Sequence, residues 1–437
     1  MTTTDLENTS PPVQAWRPED TGKPTPERPS VGGIFRPDIM AAIEQRIAEL
    51  DTDLRALSLD IHEHPEIGYE ERRTHDVLTD FMAKQGFEVE RHYLLPSQTA
   101  WKATFKHGRG GRTIGVNSEM DALKGIGHGC GHNLIAIAGV AVACAMKAAF
   151  EKFNISGAIE LLGTPAEEGG DGKVHLLEQG AYKNMAADRC HPAPGPKGSV
   201  SLSSCLALHR IQVQYFGHTA HAALSPWEGV NALDAAVLGY NNISALRQQL
   251  KPTHRVHGIF HEGKDWQTNV IPDFAEFVCY VRAPTRAEVQ STLKRVLPCF
   301  EGAAIASGCT IKIEDYGATH DLRQNKALGD EVANIVRSKY GSIDYEWGIK
   351  SASTDFGNVS YELPSLHPGF AIPTEENGGN HTPGFTRAAA TIEAHYACLD
   401  VSKALAATGV RVVIDDRFFK RVQNAFEEDK IVRDMIV

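Results

Sequence analysis

A chain of 437 residues is too long for one ordinary hydrophobic core and implies two domains, and its composition is that of a soluble globular protein. The net charge of -11, with no run rich in Lys and Arg and no interleaving of basic and aromatic residues, argues against nucleic acid as a partner. The cysteines at 130, 144, 190, 205, 279, 299, 309 and 398 lack a disulfide-like spacing and read as reduced thiols. The start, Met1-Thr2-Thr3-Thr4-Asp5, has neither a basic nor an apolar leader segment, so the cytosol is the expected compartment.

Up to about Arg36 the chain is rich in Pro, Thr, Ser and Glu, too polar to offset the cost of ordering, and reads as a disordered arm over 1–36. From Pro37 a helix is predicted, with Ile39, Ile43, Ile47, Leu50, Leu54 and Leu57 on one face. Thr113 to Asn117 and Ala158 to Leu162 read as buried strands flanking a helix over Asn133 to Phe153, which is α/β order. The apolar run Leu134 to Met146 is too short to span a bilayer, so no membrane association is expected.

The character changes near Ala207. Strands over His209 to Phe216, Val256 to Phe260, Asp273 to Val281 and Thr310 to Tyr316, with helices over Gly229 to Leu250 and Thr285 to Phe300, give the β-α-β-β-α-β order of a ferredoxin-like sandwich. After about Ala318 the α/β pattern resumes, with a helix around Ala327 to Tyr340 and a final long helix from Thr386 to Thr408.

Two motifs carry the chemistry. In Gly127-His-Gly-Cys-Gly-His-Asn133 a thiol and an imidazole two residues apart stand among glycines that let the backbone wrap a small ion, a donor pair suited to zinc-like metals. In Pro165-Ala-Glu-Glu-Gly169 one carboxylate can bind metal while its neighbour handles a proton from metal-activated water. Both follow the ends of predicted strands, where α/β sheets place ligands. The pair reads as a metallohydrolase.

With these motifs placed, the chain resembles the M20 metallopeptidase and amidohydrolase family over roughly Ile39 to Gly409. The resemblance is carried by His62-Glu-His-Pro-Glu-Ile-Gly-Tyr-Glu-Glu71, Met120-Asp-Ala-Leu123, Gly125 to Asn133, Thr164 to Glu168 and Gly217-His-Thr-Ala-His-Ala-Ala223, and continues through Asn269-Val-Ile-Pro272, Ser353-Thr-Asp-Phe-Gly-Asn358 and His381-Thr-Pro383. The runs Gly125 to Ala136 and Ser353 to Ser360 look most like the Xaa-Arg or β-alanyl-lysine type of dipeptidase within its amidohydrolase-like branch.

The resemblance implies a two-domain α/β fold: a metallo-exopeptidase-like catalytic domain over 37–206 and 319–410, an inserted ferredoxin-like α+β lid and dimerisation domain over 207–318, and a C-terminal tail over 411–437. It implies a homodimer and one or two divalent ions per subunit, zinc first, with manganese or cobalt as alternatives. Cys130, His132, Glu168, His191 and His381 are the implied ligands, Glu167 the general base and acid, and Asp121 the group that orients an imidazole ligand. His221 is implied as the oxyanion partner, in cis or in trans, with Asn269 and Arg282 on the substrate. At His191 the chain departs from the family, running Ala187-Asp-Arg-Cys190 where an apolar strand is usual. The implied reaction is amide hydrolysis of small dipeptides or N-acyl amino acids. An amidohydrolase or amide-forming enzyme of secondary metabolism, and a catalytically silent binding protein that keeps the fold, stay open as alternatives.

Overall fold

The computed structural model describes residues 32–94, 99–183, 185–188, 190–261, 266–345 and 352–434. Of the arm expected over 1–36, residues 1–31 lie outside that set. The rest is docked: the Gly32 N–H donates to Asn334 Oδ1, and the Arg411 guanidinium lies 4.6 Å from the centre of the Phe35 ring. The described residues divide into two compact units, one made of those up to Ser204 and from Leu322 onward, the other of those within Cys205–Asp321.

The first unit opens with α1 (Pro37–Glu63), whose start suits the fixed φ of proline and whose predicted apolar face, from Ile39 to Leu57, is buried. It continues through α2 (Arg72–Lys84), β1 (Glu88–Arg91), β2 (Trp101–His107), β3 (Arg112–Glu119), α3 (His132–Phe153), β4 (Gly157–Thr164), α4 (Gly172–Glu178), β5 (Met185–Asp188), β6 (His191–Pro194) and β7 (Ser199–Ser201). Helix α3 corrects one expectation. At 22 residues it is long and apolar enough to cross a membrane, so its burial, not shortness, is what marks it as a core helix.

The second unit runs β8 (Ala207–Phe216), α5 (Ala232–Leu246), β9 (Arg255–His261), β10 (Phe274–Ala283), α6 (Arg286–Ser307) and β11 (Thr310–Thr319). Its antiparallel sheet has the order β11-β8-β10-β9, the ferredoxin-like arrangement. Val213, Tyr215, Phe277, Val296 and Phe300 fill the core between sheet and helices.

The returning chain adds α7 (Lys326–Lys339), β12 (Ser342–Asp344), α8 (Phe356–Glu362), β13 (Ser365–Leu366), β14 (Gly369–Ile372), α9 (Pro383–Ala389), α10 (Ile392–Ile414) and α11 (Asp416–Asp434). The single helix expected over Thr386 to Thr408 is two. Thr391 breaks it, its side chain accepting from the Ala394 N–H as an N-cap. The stretch expected as a tail from residue 411 is the end of α10 followed by α11, which buries Phe418 and Val422 against the first unit's core. Each such side chain contributes about 1.5–3 kcal/mol, which is why this segment docks.

Two sheets organise the first unit, a six-stranded one in the order β1-β2-β4-β3-β5-β13 and a four-stranded one in the order β12-β7-β14-β6. Strands β3 and β4 run parallel with Glu119 beside Thr164, so their carboxyl ends release the two motif loops side by side.

Candidate metal centre

After β3 the chain passes Glu119 and Asp121 and coils through the glycine-rich loop to Cys130, then enters α3 at His132. Gly131 has φ 78° and sits where a Cβ would meet Pro192 Cγ at 2.5 Å, so glycine alone allows Cys130 and His132 to turn the same way. After β4 the chain makes a tighter turn through Ala166, whose φ of 55° costs about 1–2 kcal/mol for a residue with a side chain. Two carboxylates hold that turn. Glu71 Oε1 accepts the Ala166 N–H at 2.9 Å, and Asp121 accepts the N–H groups of Glu167 and Glu168 at 3.1 and 3.0 Å.

Asp121 Oδ1 also meets His132 Nδ1 at 3.1 Å, which leaves Nε2 of that ring for another partner. His191, at the start of β6, engages its Nδ1 with the Pro192 carbonyl at 2.6 Å and turns Nε2 to Cys130 Sγ at 3.1 Å. His381, itself at φ 67°, is held by its N–H on the Gly129 carbonyl and places Nε2 3.4 Å from Glu168 Oε2.

Three groups of candidate donors result, the ligand atoms of each lying within 4.8 Å of one another: Cys130, His132 and His191; Cys130, Glu168 and His381; and Glu119, His132 and Glu167. The first two share Cys130, the arrangement expected of two ions bridged by one thiolate. His128 belongs to none of them; it is buried, bonds the Ile61 carbonyl through Nε2 and stacks on His62.

The donors fit divalent metal. His132 Nε2 and Glu168 Oε1 are buried, 3.8 Å apart, and neither has a hydrogen-bond partner among the described residues. Burial, reinforced by the Glu168 charge, pushes the Cys130 thiol well above its ordinary value, and burial with the Glu167 and Asp121 charges pushes Glu168 up. Burial opposes a charged His132, but Glu119 and Asp121 outweigh it and hold the imidazole well above its usual range. A divalent cation would relieve each of these.

Glu119 and Lys173 are missing from the sequence reading, which names Glu71 only as the last residue of a family motif. The Lys173 ammonium is fully buried between Glu119 Oε1 and Asp355 Oδ1, the latter at 2.7 Å, and the Lys173 N–H donates to Asp355 Oδ2 at 2.8 Å. Burial pushes Asp355 up to about 6 against the pull of Lys173.

Glu71 gives a pH signature. Burial, then the Asp121 charge, pushes its carboxyl from 4.5 up to about 7. Between those values the native protein keeps a proton that the unfolded chain has lost, so this group makes stability fall as pH rises through that window and level off above it. Glu71→Gln keeps the acceptor for Ala166 and is expected to flatten a slope worth at most about 3 kcal/mol. Urea midpoints measured at about pH 5 and about pH 8 check this; identical slopes in parent and variant would remove the assignment.

The remaining expected site residues lie in the second unit. His221 accepts the N–H groups of Ala223 and Leu224 on Nδ1, both at 3.2 Å, so Nε2 carries its proton. The Asn269 carbonyl accepts the Ala222 N–H, and His221 bridges to Val270. Arg282 on β10 donates from Nε to His257 Nε2 at 3.2 Å.

Known proteins resemble this chain in sequence and fold. The chain is 38% identical over 432 residues to the Xaa-Arg dipeptidase of Homo sapiens, covering 93% of this chain and 97% of the relative. It is 25% identical over 389 residues to the N-acetyl-L-cysteine deacetylase of Bacillus subtilis, covering 82% and 89%. In fold it is similar to a dinuclear metal binding peptidase from the M20 family of Bacillus subtilis, with a TM-score of 0.63, 21% identity and coverage of 84% and 99%. Residues 115–407 match the model of peptidase family M20/M25/M40 and span both motif loops, the inserted unit and the return through His381. The chain therefore belongs to peptidase family M20/M25/M40.

Proposed function

We propose that this metal-dependent hydrolase is a cytosolic, homodimeric dipeptidase that cleaves small dipeptides ending in a basic residue, with two zinc ions per subunit. The observation that carries the reading is the meeting of two donor triplets on Cys130, with Glu167 beside them. Near full-length similarity to an Xaa-Arg dipeptidase supports the substrate class. The mixed thiolate, imidazole and carboxylate set favours zinc over harder ions. Eight free cysteines support a reducing compartment. In the inserted unit, edge strand β9 exposes Ile259 and Phe260, with Tyr240 of α5 beside Phe260, an apolar edge that a second copy would cover.

Divalent ions held by Cys130, His132, Glu168, His191 and His381 would supply Lewis acidity toward water and the scissile carbonyl. Glu167, its backbone pinned by Asp121, takes the proton of the attacking water and delivers it to the leaving amine nitrogen. The Nε2–H of His221 donates to the oxyanion, while Asn269 and Arg282 hold the substrate's carbonyl and carboxylate.

The test is a panel of Xaa-Arg, Xaa-Lys and Xaa-Glu dipeptides and N-acyl amino acids, incubated with metal-loaded protein and read by mass spectrometry. Release from the basic dipeptides supports the reading. Release from N-acyl amino acids alone replaces it with an amidohydrolase, and no release from any substrate class overturns it. His221→Ala is expected to slow turnover about a hundredfold or more without changing metal content, because an oxyanion donor acts mainly in the transition state. Unchanged turnover would remove that role. Recovery of activity on mixing His221→Ala with Glu167→Gln protein would place it in trans.

A further inference from the structure

The Ser353 to Asn358 motif has no part in the chemistry above, yet it delivers Asp355 to the buried ammonium of Lys173 beside the candidate ligands. Lys173 reaches that point because Gly172 lies against the Pro165 carbonyl, where a Cβ would meet the oxygen at 1.9 Å. The lysine is thus built directly behind the Glu167 and Glu168 turn. Its Nζ contacts Asp355 Oδ1 at 2.7 Å and Glu119 Oε1. The second oxygen of Glu119 lies 3.4 Å from His132 Nε2, the ring nitrogen left for metal. Tetrahedral ligands at about 2.0–2.1 Å from zinc stand about 3.3 Å apart. Glu119 therefore sits at a ligand's distance from a ligand, and completes a third donor group with His132 and Glu167.

We infer that Lys173 is a positioning residue that holds Glu119 off the metal, keeping open the coordination position that the reaction needs. The inference rests on the metallohydrolase reading. A catalytic ion must keep one place open for water or substrate, and a carboxylate this close would fill it. The ammonium competes for that carboxylate as an ion partner, and Asp355 fixes the ammonium from the returning half of the chain.

The test uses full-length protein loaded with cobalt(II), whose visible absorption weakens as coordination number rises. Wild-type protein that neither binds cobalt nor hydrolyses any substrate would defeat the metallohydrolase reading itself, apart from the clamp. Given active wild type, Lys173→Met is expected to retain metal, to show weakened visible absorption, and to lose at least about tenfold in kcat while KM moves less than about twofold. Adding Glu119→Gln to Lys173→Met is expected to restore the absorption and most of kcat. An unchanged spectrum in folded, metal-loaded Lys173→Met overturns the inference, as does a double variant that folds and binds cobalt but stays as slow as the single one. Where Lys173→Met alone does not fold, the double variant, freed of the unpaired Glu119 charge, carries the test: recovery of wild-type-like absorption and turnover supports the clamp, and a folded but inactive double variant overturns it.

Discussion

Metal-loaded Glu167→Gln protein is expected to turn over dipeptide about a thousandfold more slowly than the parent, with metal content and folding intact, because general base catalysis supplies about 10²–10⁴ of the rate. The amide has the shape of the carboxylate and keeps the backbone N–H bond to Asp121, but it cannot accept a proton. Glu167 belongs to neither of the two triplets that share Cys130, so those donors remain in place. Steady-state turnover, elemental analysis and thermal melting on one preparation check the three parts together. Turnover within about tenfold of the parent would place the proton acceptor elsewhere.

The second large effect is expected at Cys130. Its sulfur belongs to both triplets, whereas His191 and His381 each belong to one. Cys130→Ala is therefore expected to weaken binding of both ions, each by about a hundredfold or more, while His191→Ala and His381→Ala each affect one. Equilibrium dialysis with elemental analysis separates the cases. Loss of one ion alone in Cys130→Ala would mean that the thiolate does not bridge, and full occupancy in His191→Ala would mean that the unusual approach to that residue has cost it its ligand role.

What was legible in the sequence is what short-range pattern encodes. The apolar face of α1, the buried run of α3 and the order of elements in the inserted unit follow from periods of 3.6 and 2 sustained over many residues. Cys130, His132, Glu167 and Glu168 stood out because their chemistry is concentrated in two short motifs. Lys173 did not, because its meaning lies in Asp355, 182 residues away, and alone it reads as an ordinary solvated lysine. The role of Glu71, quoted only as the end of a family motif, was equally hidden, its partner Ala166 being 95 residues distant. The strand that starts at His191 is His-Pro-Ala-Pro, which no strand propensity favours. It persists because β6 is an edge strand, where proline's missing N–H costs little, and because the His191 N–H donates to the Pro368 carbonyl. The break at Thr391 was hidden by a residue whose capping role depends on where the preceding turn ends.

That hydrogen bond from His191 to Pro368 also bears on how the molecule is made. Cys130 and His132 leave the ribosome about 250 residues ahead of His381, an interval on the order of ten to fifty seconds at the usual pace of synthesis. Until residues 369–372 emerge the strand of His191 has no β14 beside it, and until His381 emerges the Cys130, Glu168 and His381 triplet is one imidazole short. The complete set of donors thus first exists only once His381 has been made, and a nascent chain halted before that residue is an unfinished chelator.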